Sequence, residues 1–158
     1  MAQLRLIRLR LAKFRQAKVS KKAMAVEALV LLAIARLALV VIPFPRLARL
    51  IGTFVSPQDP RVALAPAGAA PVQAELATTI GRIVLLAANA APFRAVCLPQ
   101  ALAARAMLSR RGIASVLSFG AARGDDKLFE THAWLDAAGV EVTGYPVAND
   151  FTRIACFV

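Results

Sequence analysis

Residues 96–105 read Val-Cys-Leu-Pro-Gln-Ala-Leu-Ala-Ala-Arg, and the chain changes character on either side of them. Pro99 is tolerated in a first helical turn, and strong helix formers follow it, so a helix is expected from Cys97 to about Arg111, stopped by Gly112. Upstream the pattern is helical. A long apolar helix should run from Lys21 to Ile42 and end at Pro43 and Pro45, with a short one over 45–51. A proline-punctuated connector over 57–69 is expected to be irregular. Pro71 then opens a helix to about Ala88, with Asn89 as its stop. Downstream the chain alternates like strands at Ala114–Gly120, Glu130–Asp136, Val140–Val147 and Arg153–Val158, with a turn at 124–127. Helices first and an antiparallel run afterwards make an α+β domain.

At 158 residues the chain is one domain's worth, able to bury a core without disulfides or metal. Cys97 and Cys156 do not form the pattern of a secreted disulfide framework, and two cysteines with one histidine fall short of a structural zinc quartet. The net charge of +11 is unevenly placed. Residues 1–52 hold eleven lysines and arginines against Glu27 alone, a balance of +10. The division is therefore a basic helical arm over 1–52 and a nearly neutral core over 53–158. Residues 4–18 interleave apolar and basic side chains as an amphipathic helix would. Such an arm implies an acidic partner. Nucleic acid is disfavoured, because Phe14 is the only aromatic in the first 22 residues and no binding motif accompanies the charge.

Residues 28–42 are apolar enough to raise the question of a membrane span, but Arg36 divides them. A spanning helix needs about 20 mostly apolar residues, and a central arginine costs roughly 2.5–3.5 kcal/mol. The expectation is a helix whose mostly apolar circumference is buried against the domain, with Glu27 and Arg36 at its margins, in a cytoplasmic protein. Peripheral contact with the inner membrane through the basic arm stays open.

Two residues carry the chemistry. Cys97 opens a helix, where free N–H groups and the helix dipole stabilise a thiolate and can receive an oxyanion. His132 lies in Thr-His-Ala-Trp-Leu-Asp (131–136) on an expected strand. Each has a plain alternative, since free cysteine is commonly buried and a histidine beside Trp134 can be a packed core residue. Together they form a workable nucleophile and base. Cys156 reads as an ordinary strand residue.

Cys-Leu-Pro-Gln-Ala-Leu-Ala (97–103), Ser-Arg-Arg-Gly-Ile-Ala (109–114) and His-Ala-Trp-Leu (132–135) resemble the transglutaminase-like leader peptidases of lasso peptide biosynthesis, as does the apolar run 25–39. The resemblance spans most of the chain from Ala25, with no leader-recognition domain in front, the stand-alone form. It implies a transglutaminase/papain-like fold with the cysteine helix on an antiparallel sheet. It also implies a cysteine protease that uses Cys, His and a carboxylate, without metal or cofactor, to cut the leader from a ribosomally made precursor. The implied partners are the precursor leader peptide, a separate leader-recognition protein and an asparagine-synthetase-like macrolactam cyclase.

The carboxylate is where this sequence departs. Asp136 lies four residues from His132 on one strand, roughly 13 Å away. If Ala137–Gly139 form a three-residue loop, residue 136 faces 140 and 132 faces 144, and position 144 is glycine. Asp150 folding back is the candidate third member, with Glu141 a poorer one. A backbone carbonyl or water could instead orient the imidazole. Two rival readings remain: an acyltransferase using the same thioester, and a non-catalytic membrane-associated binding module.

Overall fold

A computed structural model describes residues 21–64, 69–123 and 129–158. The amphipathic stretch at 4–18 and the turn at 124–127 lie outside the described residues. The elements are α1 (Lys21–Val41), α2 (Phe44–Ile51), β1 (Phe54–Val55), α3 (Pro60–Leu64), α4 (Pro71–Ala90), α5 (Cys97–Ser109), β2 (Ser115–Arg123), β3 (Phe129–Ala137), β4 (Val140–Thr143) and β5 (Thr152–Phe157). The strands form one antiparallel sheet in the order β1-β5-β2-β3-β4. The α+β reading therefore holds in architecture. The connector expected to be irregular holds α3, whose first turn is set by Pro60 and by Asp59 accepting the Arg61 N–H at 2.9 Å.

Helices α4 and α5 cover one face of the sheet and α1 packs on those two helices, and the core they share is rich in alanine. On α5, Ala101, Ala103, Ala104, Met107 and Leu108 are buried. They meet Leu117, Ala133, Leu135 and Ala137 of β2 and β3. Alanine lets the helix approach the sheet closely and has the best helix propensity, so one residue type serves both needs. Closer still is the crossing of α4 over β4. A Cβ on Gly81 would sit 2.2 Å from the Val142 carbonyl oxygen. That contact accounts for a glycine in mid-helix, where it otherwise costs about 1 kcal/mol. Helix α4 starts at Pro71, and Gln73 Oε1 accepts the Ala70 N–H at 3.2 Å.

Arg105 joins the layers from inside. Its guanidinium donates to the carbonyls of Ile51, Ser115 and Phe157, each at 3.0 Å. One side chain on α5 thus fixes the end of α2, the start of β2 and the end of β5. On the sheet's other face a small cluster of Val55, Val62, Val116 and Cys156 is buried. Ser118 Oγ lies 3.8 Å from Cys156 Sγ there, so Cys156 is an interior strand residue.

Two expectations require correction. Helix α1 is not buried all round: Met24, Ala28, Leu32 and Ala35 face the core, while Val26, Val30, Ile34, Leu37, Val40 and Val41 are exposed. The β3–β4 loop has two residues, not three. Ala138 (φ 53°) and Gly139 (φ 75°) are both left-handed, so the hairpin closes on Ala137 opposite Val140. A tight turn with both central residues left-handed matches the strands' right-handed twist, which longer-loop geometry would not improve. Asp136 consequently faces Glu141, and a bulge brings Leu135 opposite Thr143.

Candidate active site

Cys97 is the first residue of α5 and is half-buried. Val96 precedes it in extended conformation and gives no side-chain cap. The helix's first main-chain bond of this turn runs from the Gln100 N–H to the Val96 carbonyl at 3.2 Å. Pro99 has no N–H, so the donors left open at this end are those of Cys97 and Leu98. Gln100 also reaches backwards, its Nε2 donating to the Ala95 carbonyl at 2.7 Å. That bond ties the chain entering the helix to its first turn and fixes where Cys97 begins.

His132 lies on β3 and shares with Cys97 a cleft of about 420 Å³. Gln100 and Thr143 line it, as do Arg82 of α4 and Tyr145 beyond β4. The imidazole is held by a main-chain group: Nε2 lies 2.6 Å from the Gly144 carbonyl oxygen. A carbonyl only accepts, so Nε2 carries the hydrogen and, in the neutral ring, Nδ1 keeps the lone pair. Two aromatic rings fix the imidazole plane. Trp134 stacks beside it at 6.1 Å between centroids, and Phe151 meets it tilted at 5.5 Å. The Arg153 guanidinium sits over the Trp134 ring at 5.3 Å.

Gly144 answers the question its sequence position raised. It offers no side chain, but its φ of +82° turns the chain so that its carbonyl meets His132. A Cβ there would lie 2.4 Å from the Ala133 carbonyl oxygen and 2.8 Å from Trp134 Cα. Glycine is thus required for both conformation and space. The shifted register places Gly144 beside residues 133 and 134, not opposite 132.

Among the described residues no carboxylate is hydrogen-bonded to the imidazole. Asp150 is exposed in the segment before β5 and makes no hydrogen bond or ion pair among the described residues. Its neighbour Phe151 is the residue that reaches the imidazole. Glu141 is exposed at the cleft's edge. Asp136 accepts a hydrogen bond from the Tyr145 hydroxyl and lies 3.7 Å from Arg153. Burial pushes its carboxyl above the usual carboxylate range, against the pull of Tyr145 and Arg153. The Tyr145 phenol is raised too, by burial and by that carboxylate. Sequence reasoning missed Tyr145, Phe151 and Arg153. The available signal was the aromatic and basic residues near Gly144 and Asp150.

One further polar atom is enclosed here. Thr143 Oγ1 is buried without a hydrogen-bond partner among the described residues. Among those residues, no cluster of three histidine, cysteine or carboxylate side chains is arranged to hold a metal ion.

The family model described as the transglutaminase-like superfamily matches residues 38–156, from within α1 to the end of the sheet. No curated protein and no solved structure matches the chain at a significant level.

Proposed function

The chain belongs to the transglutaminase-like superfamily, and from that premise we propose that it is a cysteine peptidase that removes the leader from a ribosomally made lasso precursor. Superfamily membership is consistent with cysteine acyl chemistry, whether hydrolytic or transferring. The observation that carries the reading is the shared cleft: a cysteine at an uncapped helix start, with a histidine whose Nε2–H is committed to the Gly144 carbonyl.

In this reading His132 Nδ1 takes the Cys97 thiol proton, and the sulfur attacks the scissile carbonyl carbon. The oxyanion is met by the Cys97 and Leu98 N–H groups, which are the donors the first turn leaves open. His132 then gives the proton to the leaving amine, and the carbon–nitrogen bond breaks to leave a thioester. Water, deprotonated by the same imidazole, hydrolyses that thioester. The Gly144 carbonyl performs the orienting part of a triad's third member. It lacks a full negative charge, so it fixes the tautomer more than it stabilises imidazolium. Asp150 could contribute only if the segment before β5 moved.

The choice of a lasso leader as substrate is supported by the three separated sequence motifs around Cys97, Ser109 and His132. A separate leader-recognition protein would present the precursor, and an asparagine-synthetase-like cyclase would close the freed core.

The test is mass spectrometry of a leader-bearing precursor incubated with this protein and the recognition protein. One cut at the leader–core junction is expected. Cys97→Ala and His132→Ala should each slow it by roughly a thousandfold or more, while Asp150→Asn leaves the rate unchanged. An uncut precursor in a proven complex would remove the peptidase reading. Incorporation of an added amine in preference to water would assign acyl transfer.

A further inference from the structure

Helix α1 has two apolar faces, and the domain uses one. Ala28 and Leu32 are fully buried, packed with α4 and α5. At roughly 100° per residue, the opposite arc carries Val26, Val30, Ile34, Leu37, Val40 and Val41. Each of these is 52–70% exposed. Single exposed apolar residues are ordinary, but six in register along more than four turns form a surface.

Charge decides what this surface fits. Lys21 and Lys22 stand at its amino end, Arg36 on its flank, and Arg46 and Arg49 on α2 just past its carboxyl end, all exposed. The one acid of α1, Glu27, is already held by Arg110 and Arg111. A second copy of the chain is disfavoured, since pairing through this face would set its exposed Lys21, Lys22, Arg36, Arg46 and Arg49 against the same cations of the other copy. A span is disfavoured as well, because protein covers Ala28 and Leu32 where lipid would have to be.

We infer that α1 docks on an anionic bilayer, lying in its plane. The outward apolar face enters the boundary between headgroups and acyl chains, and the flanking lysines and arginines reach lipid phosphates. The inference is independent of the peptidase reading, since neither Cys97 nor His132 takes part.

The experiment is flotation of the full chain with vesicles of phosphatidylcholine containing one third phosphatidylglycerol, with pure phosphatidylcholine as control. The protein should float with the anionic vesicles and be released as salt rises. Val30→Asp with Leu37→Asp should weaken flotation roughly tenfold or more with an unchanged melting temperature, because both positions are solvent-exposed. Arg36→Gln with Arg46→Gln should weaken it about fivefold per charge removed. A doubly aspartate-substituted chain that floats like wild type would overturn the proposal, since binding would then belong to the basic segment alone. So would a wild type that ignores the vesicles, whether it forms dimers dissolved by the aspartates or binds an acidic polypeptide such as polyglutamate instead.

Discussion

At its carboxyl end α5 closes every loose main-chain group, whereas at its amino end it leaves them open. Past Ser109 the chain turns through Gly112 (φ +71°), and the Ile113 N–H reaches the Leu108 carbonyl at 3.1 Å. The Gly112 N–H takes the Ser109 carbonyl at 3.0 Å, and buried Ile113 joins the cluster that holds Leu108. Arg111 adds a bond to the Met107 carbonyl and a two-pronged pair with Glu27 of α1. At Cys97 the Gln100 side chain ties back to the Ala95 carbonyl, but among the described residues no group caps the first-turn N–H donors, since Val96 supplies no side-chain cap. One end of the helix is fastened and the other keeps the Cys97 and Leu98 N–H groups open, which the proposed function assigns to the substrate. Stability and reactivity should therefore respond to different substitutions along a single helix.

The largest expected effect on stability lies between the two ends. Arg105→Leu keeps the stem's volume but leaves the carbonyls of Ile51, Ser115 and Phe157 without their donor. Burial already pulls this guanidinium's pKa down, so the three carbonyls are what compensates for placing a charge there. Loss of about 3–5 kcal/mol is expected, read as a fall in the urea midpoint. A loss below about 1 kcal/mol would mean that the layers hold without this link.

Next comes the main-chain acceptor of the open end. Gly144→Ala places a Cβ against the Ala133 carbonyl and demands an alanine at φ +82°. Roughly 2–3 kcal/mol of destabilisation should follow, together with a larger loss in kcat than in KM, because the carbonyl that orders His132 is displaced. A variant equally stable and equally active would show that the imidazole needs no such acceptor.

At the closed end the effect is smaller and purely conformational. A Cβ on Gly112 meets nothing within 4 Å, so Gly112→Ala should cost only the left-handed backbone, about 1 kcal/mol. Gly112→Asn should recover part of it, because asparagine tolerates this region. Cleavage should be unaffected by either. A rate change at Gly112 would join the two ends functionally and remove the contrast.

The sequence carried these ends unequally. Gly112 as the helix stop and Cys97 at the helix start were legible because punctuation residues act locally. The helix-then-strand order followed from periodicity except for the short β1 and α3, which were not expected, and the other boundaries were off by only a few residues. What could not be read depended on register. A two-residue turn and a bulge on β4 moved Gly144 from opposite His132 to beside Trp134, and alternation alone cannot announce a bulge. The exposed half of α1 was hidden for another reason: a helix with apolar residues on both its arcs gives no sign of which arc the domain covers. The roles of Tyr145 and Phe151 need the three-dimensional return of the chain after β4.

The smallest expected effect concerns Asp136, which sits behind the open end. Through the Tyr145 hydroxyl it anchors the residue after Gly144, so it acts on His132 at second hand. Its folded-state pKa is raised, mainly by burial. The sign follows from proton binding. Between the unfolded and folded pKa values the native state holds more protons, so stability falls as pH rises through that window. Asp136→Asn retains an acceptor for Tyr145 and cannot ionise. Paired denaturation curves should therefore show the variant gaining on wild type as pH rises from the unfolded carboxylate pKa, near 4, to above the folded value. The difference should then level off. Cleavage by Asp136→Asn should persist, whereas Tyr145→Phe, which breaks the anchor, should shift the pH profile of kcat by releasing the segment that orders His132. If both variants track wild type in stability and pH profile, the anchor is decorative, and the open end is organised by Gly144 and the aromatic rings alone.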